Sequence, residues 1–550
     1  MAVAHPSSSV HGIIIRACLG MAFLIGLTGS LPHRVAAQTR AASFIDDGTL
    51  NFASDLLADN IDPADNESEY GDTIIRNVDE TLIRLAGSSL TSYEPDLATS
   101  WSHNADSSVW TVHLRHGVRF HTGRCCMTAD DVRYSYGRSA GAGLGGSYML
   151  GRFLTDKNPL DQIKVIDNYT VEFDLHRPQP LFVAAMAQDY NALILDAQAL
   201  RAHIVKGDWG HAYATRHDLG TGPYAITQWQ ADQQIVLARF PQYWAGWNGR
   251  HFSKIVISQV PDSTTRRELI EKGSADLTFD LTPQDYDQLR ANPNVRITAP
   301  YATEIIYMTM TQSGPLASPL ARQALSYAFP YDAFIKGIYR GYAKRAYGPI
   351  PASLLGYDPT MFHYTYDPAK ARALFQQAGV KPGTTLTLSF EDAFPYPQAA
   401  ELLQASLAQF GIKLQLQQLD EAAFNNVFYS TEPANKRPNL MIYAWWPDYN
   451  DPYDMAVTLV ASYEAPPNGS NGGLYHDKQV DALLAQMENG DTATIIKASK
   501  QLQDITGRVD PPSLWLAEPA QAVALAATLQ GYIANPVELR TFYFYTMYHS

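Results

Sequence analysis

Residues 367–416 read DPAKARALFQQAGVKPGTTLTLSFEDAFPYPQAAELLQASLAQFGIKLQL, and the spacing of apolar residues changes period along them. Asp367 followed by Pro368 is a helix start, because aspartate caps unpaired N–H groups and proline at the first position has none to satisfy. Leu374 and Ala378 mark that helix's inner face, and Gly379 supplies its stop. Leu386, Leu388 and Phe390 then alternate with polar neighbours, as a half-buried strand does. A helical stripe returns at Leu403, Leu407 and Phe410, ends at Gly411, and gives way to a strand through Ile412, Leu414 and Leu416. Helix and strand in turn build a sheet covered by helices, so the expected fold class is α/β.

Working back toward the amino end, Ser318 and Pro319 open a helix through Ala324 and Leu325. From Leu50 to Pro300 the signals are mostly short strands: Trp110-Val112-Leu114, Val171-Phe173-Leu175 and Ile235-Leu237. Thr128 with Asp131 three residues on forms a capping-box-like helix start. Gly141, Gly143, Gly145 and Gly146 follow without the preceding strand that a phosphate cradle needs, and read as a flexible loop. The change of regime falls near Tyr301 to Gln312. A chain of this length exceeds one compact core, so two or more folding units are expected.

Residues 1–37 read as an export signal: Arg16 precedes an apolar stretch from Ala17 to Leu31, and Val35-Ala36-Ala37 are suited to cleavage before Gln38. Cys18 lies ahead of the apolar core behind Arg16, which is wrong for lipid attachment. No later apolar run is long enough to span a membrane. The formal charge is −14, and removing the signal takes away two arginines and no acid. An acidic chain is a poor partner for nucleic acid or anionic lipid. The remaining cysteines, Cys125 and Cys126, are adjacent, and across an ordinary peptide such a bridge is strained, so a reduced pair is expected.

Several stretches together resemble the extracellular solute-binding protein family 5, the peptide, opine and nickel binders of ABC importers. They are EPDLATSWSHNADSSVWTVHLRHGVRFHTGRCCMTADDVRYSY from Glu94 to Tyr136, GTGPYAITQW from Gly220, LARQALSYAFPYDAFIKGIYRG from Leu320 and YDPAKARALFQQAG from Tyr366. The resemblance implies a two-lobed periplasmic-binding-protein fold (class II-like, large cluster C type), with a hinge and a ligand cleft between the lobes. One lobe is then 38–300 with 518–550, carrying an inserted subdomain, and the other is 301–517. It also implies a periplasmic receptor that binds a short peptide or similar amine-bearing small molecule and works with ABC importer permease subunits; a monomer is the default expectation, and no cofactor or metal is expected.

The candidate site is WWPDYNDP, from Trp445 to Pro452, after the apolar run Leu440-Met441-Ile442-Tyr443. In peptide-binding members a similar motif carries an aspartate that pairs with the ligand's α-ammonium, and Asp448 is the matching position. In a cleft that excludes water, a carboxylate holds an ammonium by a charge-assisted bond of roughly 1.5 to 3 kcal/mol. Trp445 and Trp446 are candidates for apolar walls or a cation-π face, and Asn450 for a further ligand contact. Pro447, Asp448, Asn450, Asp451 and Pro452 are equally good turn residues, and Asp451 reads as turn or lobe-to-lobe bonding. Ser54 to Asp62 resembles the loop that lines the cleft from the other side. The family's arginine for a ligand carboxylate has no counterpart at Pro395-Tyr396-Pro397-Gln398-Ala399; Lys436 and Arg437, nearby, read as exposed loop charges.

His113, His116 and His121 are close in sequence but match no metal-ligand spacing, and hydrogen-bonded or surface histidines are expected. The chain has neither a GxSxG elbow nor an HExxH helix, which weighs against an exported hydrolase. A receptor feeding a sensor instead of an importer is the remaining alternative.

Overall fold

The computed structural model describes residues 44–550 except Glu67, Tyr190 and Leu539, and the expected export segment lies outside these residues. One seven-stranded sheet has the order Val295–Thr298, Val523–Ala526, Leu277–Phe279, Thr49–Ser54, Lys254–Gln259, Gln234–Arg239, Tyr224–Gln230. Thr49–Ser54 lies parallel to both its neighbours, which sets Leu50 against Ile255 and Phe52 against Ile257 and Leu277. All five side chains are buried in one apolar cluster with Phe542, Phe544 and Met547.

The second sheet has six strands, in the order Ala343–Lys344, Ser513–Pro519, Ile305–Met310, Leu440–Trp445, Thr385–Glu391, Lys413–Leu419. Its helices begin as the sequence requires. Asp367 accepts from the Lys370 N–H at 2.9 Å and caps Pro368–Gln377, and Ser318 caps Pro319–Ala328. Gly379, at φ +76°, takes the left-handed conformation that lets the chain leave its helix without a Cβ penalty.

A separate four-stranded antiparallel sheet, Ala98–His103, Val109–Leu114, Thr170–Asp174 and Ile163–Asp167, packs Trp110, Val112 and Leu114 against Val132 and Tyr136 of the helix Ala129–Gly141. Asp131 closes the expected capping box by accepting from the Thr128 N–H at 2.8 Å. The same helix presents Arg138, which meets Asp62 through both guanidinium ends, with both side chains almost fully buried. His211 Nδ1 lies 2.8 Å from the same carboxylate, so the aspartate of the Ser54 to Asp62 loop is engaged inside this half of the molecule. Burial works against the charge on Asp62, but His211 and Arg138 hold its carboxyl below the usual range.

The chain passes from the first sheet to the second between Thr298 and Ile305 and returns between Pro519 and Val523. The two passages run side by side: Ala302 N–H donates to the Pro519 carbonyl at 3.0 Å, and Gln521 N–H to the Pro300 carbonyl at 2.7 Å. Among the described residues no helix is long and apolar enough to cross a membrane.

The cysteine expectation needs correction: Cys125 and Cys126 are bonded to each other. That expectation assumed a trans peptide, whereas the bond joining them is cis and their Cα atoms are 3.0 Å apart.

Buried acids give the fold a pH dependence whose sign can be worked out. Burial pushes Glu80 up to about 8, with Asp96 adding to the shift, and pushes Asp451 up to about 7. Native protein therefore holds protons that the unfolded chain releases, and that stabilisation is lost as pH rises from the ordinary carboxyl range through about 7 to 8. His121 acts in the same direction: burial opposes its charge, yet Asp218 and the Gly222 carbonyl hold its pKa above the ordinary value. The melting temperature should fall between pH of about 5.5 and about 8.5, and a flat or rising profile by calorimetry would count against these buried acids.

Candidate ligand-binding cleft

Leu440–Trp445 lies between two strands of the six-stranded sheet, so the motif leaves that sheet at a fixed point and turns into the helix Pro452–Val460. Asp451 makes the turn: its carboxylate accepts from the Tyr453 N–H at 2.7 Å, and Pro452 takes the first helical position. Asp448 plays no part in that cap. Its Oδ1 accepts from the Tyr148 hydroxyl at 2.9 Å, and Tyr148 belongs to the other half of the molecule. Its backbone N–H donates to Asp454 Oδ2 at 2.7 Å.

Asp448 and Asn450 share one recess with Leu85, Gln188 and Asp189 of the first lobe and Glu538 of the carboxyl-terminal tail. In this conformation the walls stand close together and leave about 30 Å³ between them, room for roughly two water molecules, so a larger guest requires the halves to part. Three carboxylates, those of Asp448, Asp189 and Glu538, meet at its walls. The Arg76 guanidinium lies 3.6 Å from Asp189 Oδ2. Burial pushes the Glu538 carboxyl up to about 8, with Asp189 adding to the shift and Arg76 and Arg84 opposing it. Burial raises Asp189 too, against the pull of Arg76. With Glu538 mostly protonated at neutral pH and Arg76 facing Asp189, the negative charge available to a cationic guest at this recess is chiefly that of Asp448.

Beside the recess Arg152 bridges the halves. It donates to the Tyr449 hydroxyl at 3.2 Å and lies 3.4 Å from Asp454 Oδ1. Asp454 is fully buried, and burial together with the nearby Asp448 charge keeps its carboxyl well above the usual range. Asn450 adds another tie, donating its amide to the Leu90 carbonyl.

Among the expected residues, Asp448 and Asn450 come together at the recess, whereas Trp445 and Trp446 are not among its walls. Trp445 is half-buried against the apolar cluster that contains Tyr453 and Val457. Lys436 is exposed and 3.4 Å from Glu432, as a loop charge should be. Arg437 differs from the expectation: it is buried, with its guanidinium donating to the carbonyls of Phe428, Ser430 and Gly472. His121 is engaged by Asp218 at 2.6 Å and by the Gly222 carbonyl, while His116 stacks on Tyr169. Sequence reasoning missed Tyr148, Gln188, Asp189 and Glu538, which lie in three separate segments and carry no local motif.

Two α/β lobes joined by paired crossings, with a charged recess between them, define a two-lobed solute-binding protein. The model of the bacterial extracellular solute-binding proteins, family 5 Middle, matches residues 92–466, and the chain belongs to that family. It is 28% identical over 514 residues to di/tripeptide-binding protein 2 of Pseudomonas aeruginosa (strain UCBPP-PA14), covering 90% of this chain and 94% of the relative. It is also 28% identical over 461 residues to the dipeptide-binding protein of Escherichia coli (strain K12), covering 80% and 84%. Among solved structures, an ABC transporter-associated periplasmic binding protein from Helicobacter pylori in complex with a peptide matches at a TM-score of 0.79 and 25% identity, over 91% of this chain and 98% of that one.

Proposed function

We propose that this chain captures a short peptide, or a similar amine-bearing small molecule, in the periplasm and delivers it to the permease subunits of an ABC importer. The observation that carries this reading is Asp448: buried at the junction of the lobes, outside the helix cap, in a recess it shares with Asp189 and Glu538. The names of its relatives as dipeptide and di/tripeptide binders support the same ligand class. The protein is a receptor and not a catalyst, it acts as a monomer, and its lobes are 38–300 with 518–550 and 301–517. Export uses residues 1–37, with the mature chain starting near Gln38.

Mass spectrometry of small molecules released from the exported, freshly purified protein should find peptides, and N-terminal analysis of the same sample should read from near Gln38. A ligand bridging both lobes binds the closed state preferentially, so it should also shrink the particle in solution scattering and raise its melting temperature. Release of a ligand without an amine, or unchanged dimensions at saturation, would count against the reading.

A further inference from the structure

Two amides in the recess are each fixed at one end and left with a bare polar atom at the other. Gln188 is 7% exposed, and its Oε1 accepts from the Asn191 N–H at 2.8 Å. That bond sets the orientation of the amide, because an N–H must face the oxygen. Gln188 Nε2 is therefore the outstanding group: a buried donor without an acceptor among the described residues. Asn450 is the mirror case. Its Nδ2 donates to the Leu90 carbonyl, which leaves Oδ1 as a buried acceptor without a donor.

A buried polar group costs roughly 1 to 3 kcal/mol unless a water or a ligand meets it. Here one donor and one acceptor, from opposite lobes, line the same recess as Asp448. A peptide group offers the reciprocal pair, one carbonyl and one N–H, and in a peptide's first residue it stands next to the α-ammonium. Free amines lack both groups, free amino acids lack the N–H, and esters keep the carbonyl alone.

Resting on the peptide reading above, we propose that Gln188 and Asn450 recognise the ligand's first peptide group. Gln188 Nε2 donates to its carbonyl oxygen and Asn450 Oδ1 accepts its N–H, while Asp448 holds the adjoining ammonium. The site then selects α-aminoacyl amides, and Gln188 is a specificity residue with no signature in the sequence.

Calorimetric titration with the tightest binder from a panel of L-dipeptides, and with its depsipeptide, tests this. The depsipeptide replaces the amide N–H by an ester oxygen and requires no change to the protein. It should bind roughly 10-fold or more weakly than the amide, because the ester sets a lone pair against Asn450 Oδ1. Gln188→Met should weaken both ligands by about 10-fold, and in Asn450→Ala the gap between amide and ester should close. Equal binding of amide and ester to the unaltered protein overturns the inference and leaves the peptide reading standing. Binding of no dipeptide in the panel overturns both.

Discussion

Replacing Arg138 by Met should destabilise the protein by about 3 to 5 kcal/mol, the cost of leaving a buried charge without its main partner. Arg138 and Asp62 are both almost fully buried, and the guanidinium reaches both carboxylate oxygens while its Nε donates to the Trp209 carbonyl at 2.9 Å. The substitution keeps most of the side chain's volume and removes its charge and donors. Asp62 would keep His211, whose pKa is raised chiefly by its hydrogen bond to that carboxylate, but a half-exposed imidazole replaces a bidentate guanidinium poorly. Urea denaturation of the Arg138→Met protein measures the loss. Much of it should return in the Arg138→Met/Asp62→Leu double variant, because the stranded charge and not the lost bonds accounts for most of the cost. If the double variant is no better than the single one, packing explains the effect.

Asp448→Asn should weaken ligand binding by roughly 1.5 to 3 kcal/mol, or about 10- to 150-fold, with the melting curve of the unliganded protein nearly unchanged. The substitution keeps the size and one acceptor oxygen, so the Tyr148 hydroxyl can still donate to it. It takes a negative charge away from Asp454, whose own carboxyl is pushed up partly by Asp448. The unliganded protein should therefore lose no stability. A turn residue gives the opposite pattern, with a lower melting temperature and an unchanged affinity of the folded fraction. Titration of the co-purified ligand into the Asp448→Asn protein, beside its unliganded melting curve, separates the two cases, and an unaltered dissociation constant would remove Asp448 from the site.

Local chemistry made much of the architecture readable. Asp367-Pro368, Gly379 and the alternation at Leu386, Leu388 and Phe390 each act within a few residues, and the observed helix Pro368–Gln377 and strand Thr385–Glu391 follow them closely. Asp448 drew attention for a different reason: its continuous motif resembles one in peptide-binding members, while the residues alone read as a turn. The opposite wall was not legible, because Tyr148 and Gln188 lie more than 250 residues before the motif and Glu538 lies 86 residues after it, and only their meeting in space gives them meaning. Arg437 misled for a related reason. A charge in a polar loop ordinarily faces water, and only the backbone of Phe428, Ser430 and Gly472 folding around it supplies the carbonyls that make burial tolerable.

The placement of Val523–Ala526 between Leu277–Phe279 and Val295–Thr298 has a consequence for the order in which the protein is made. The six-stranded sheet draws all its strands from one uninterrupted stretch, Ile305 to Pro519, and can assemble as soon as that stretch has emerged. The sheet begun by Thr49–Ser54 cannot, since one of its inner strands and the aromatic side chains of Phe542 and Phe544 come after everything else. The half synthesised first is thus completed last, and a nascent chain remains open at its amino end until the final segment arrives.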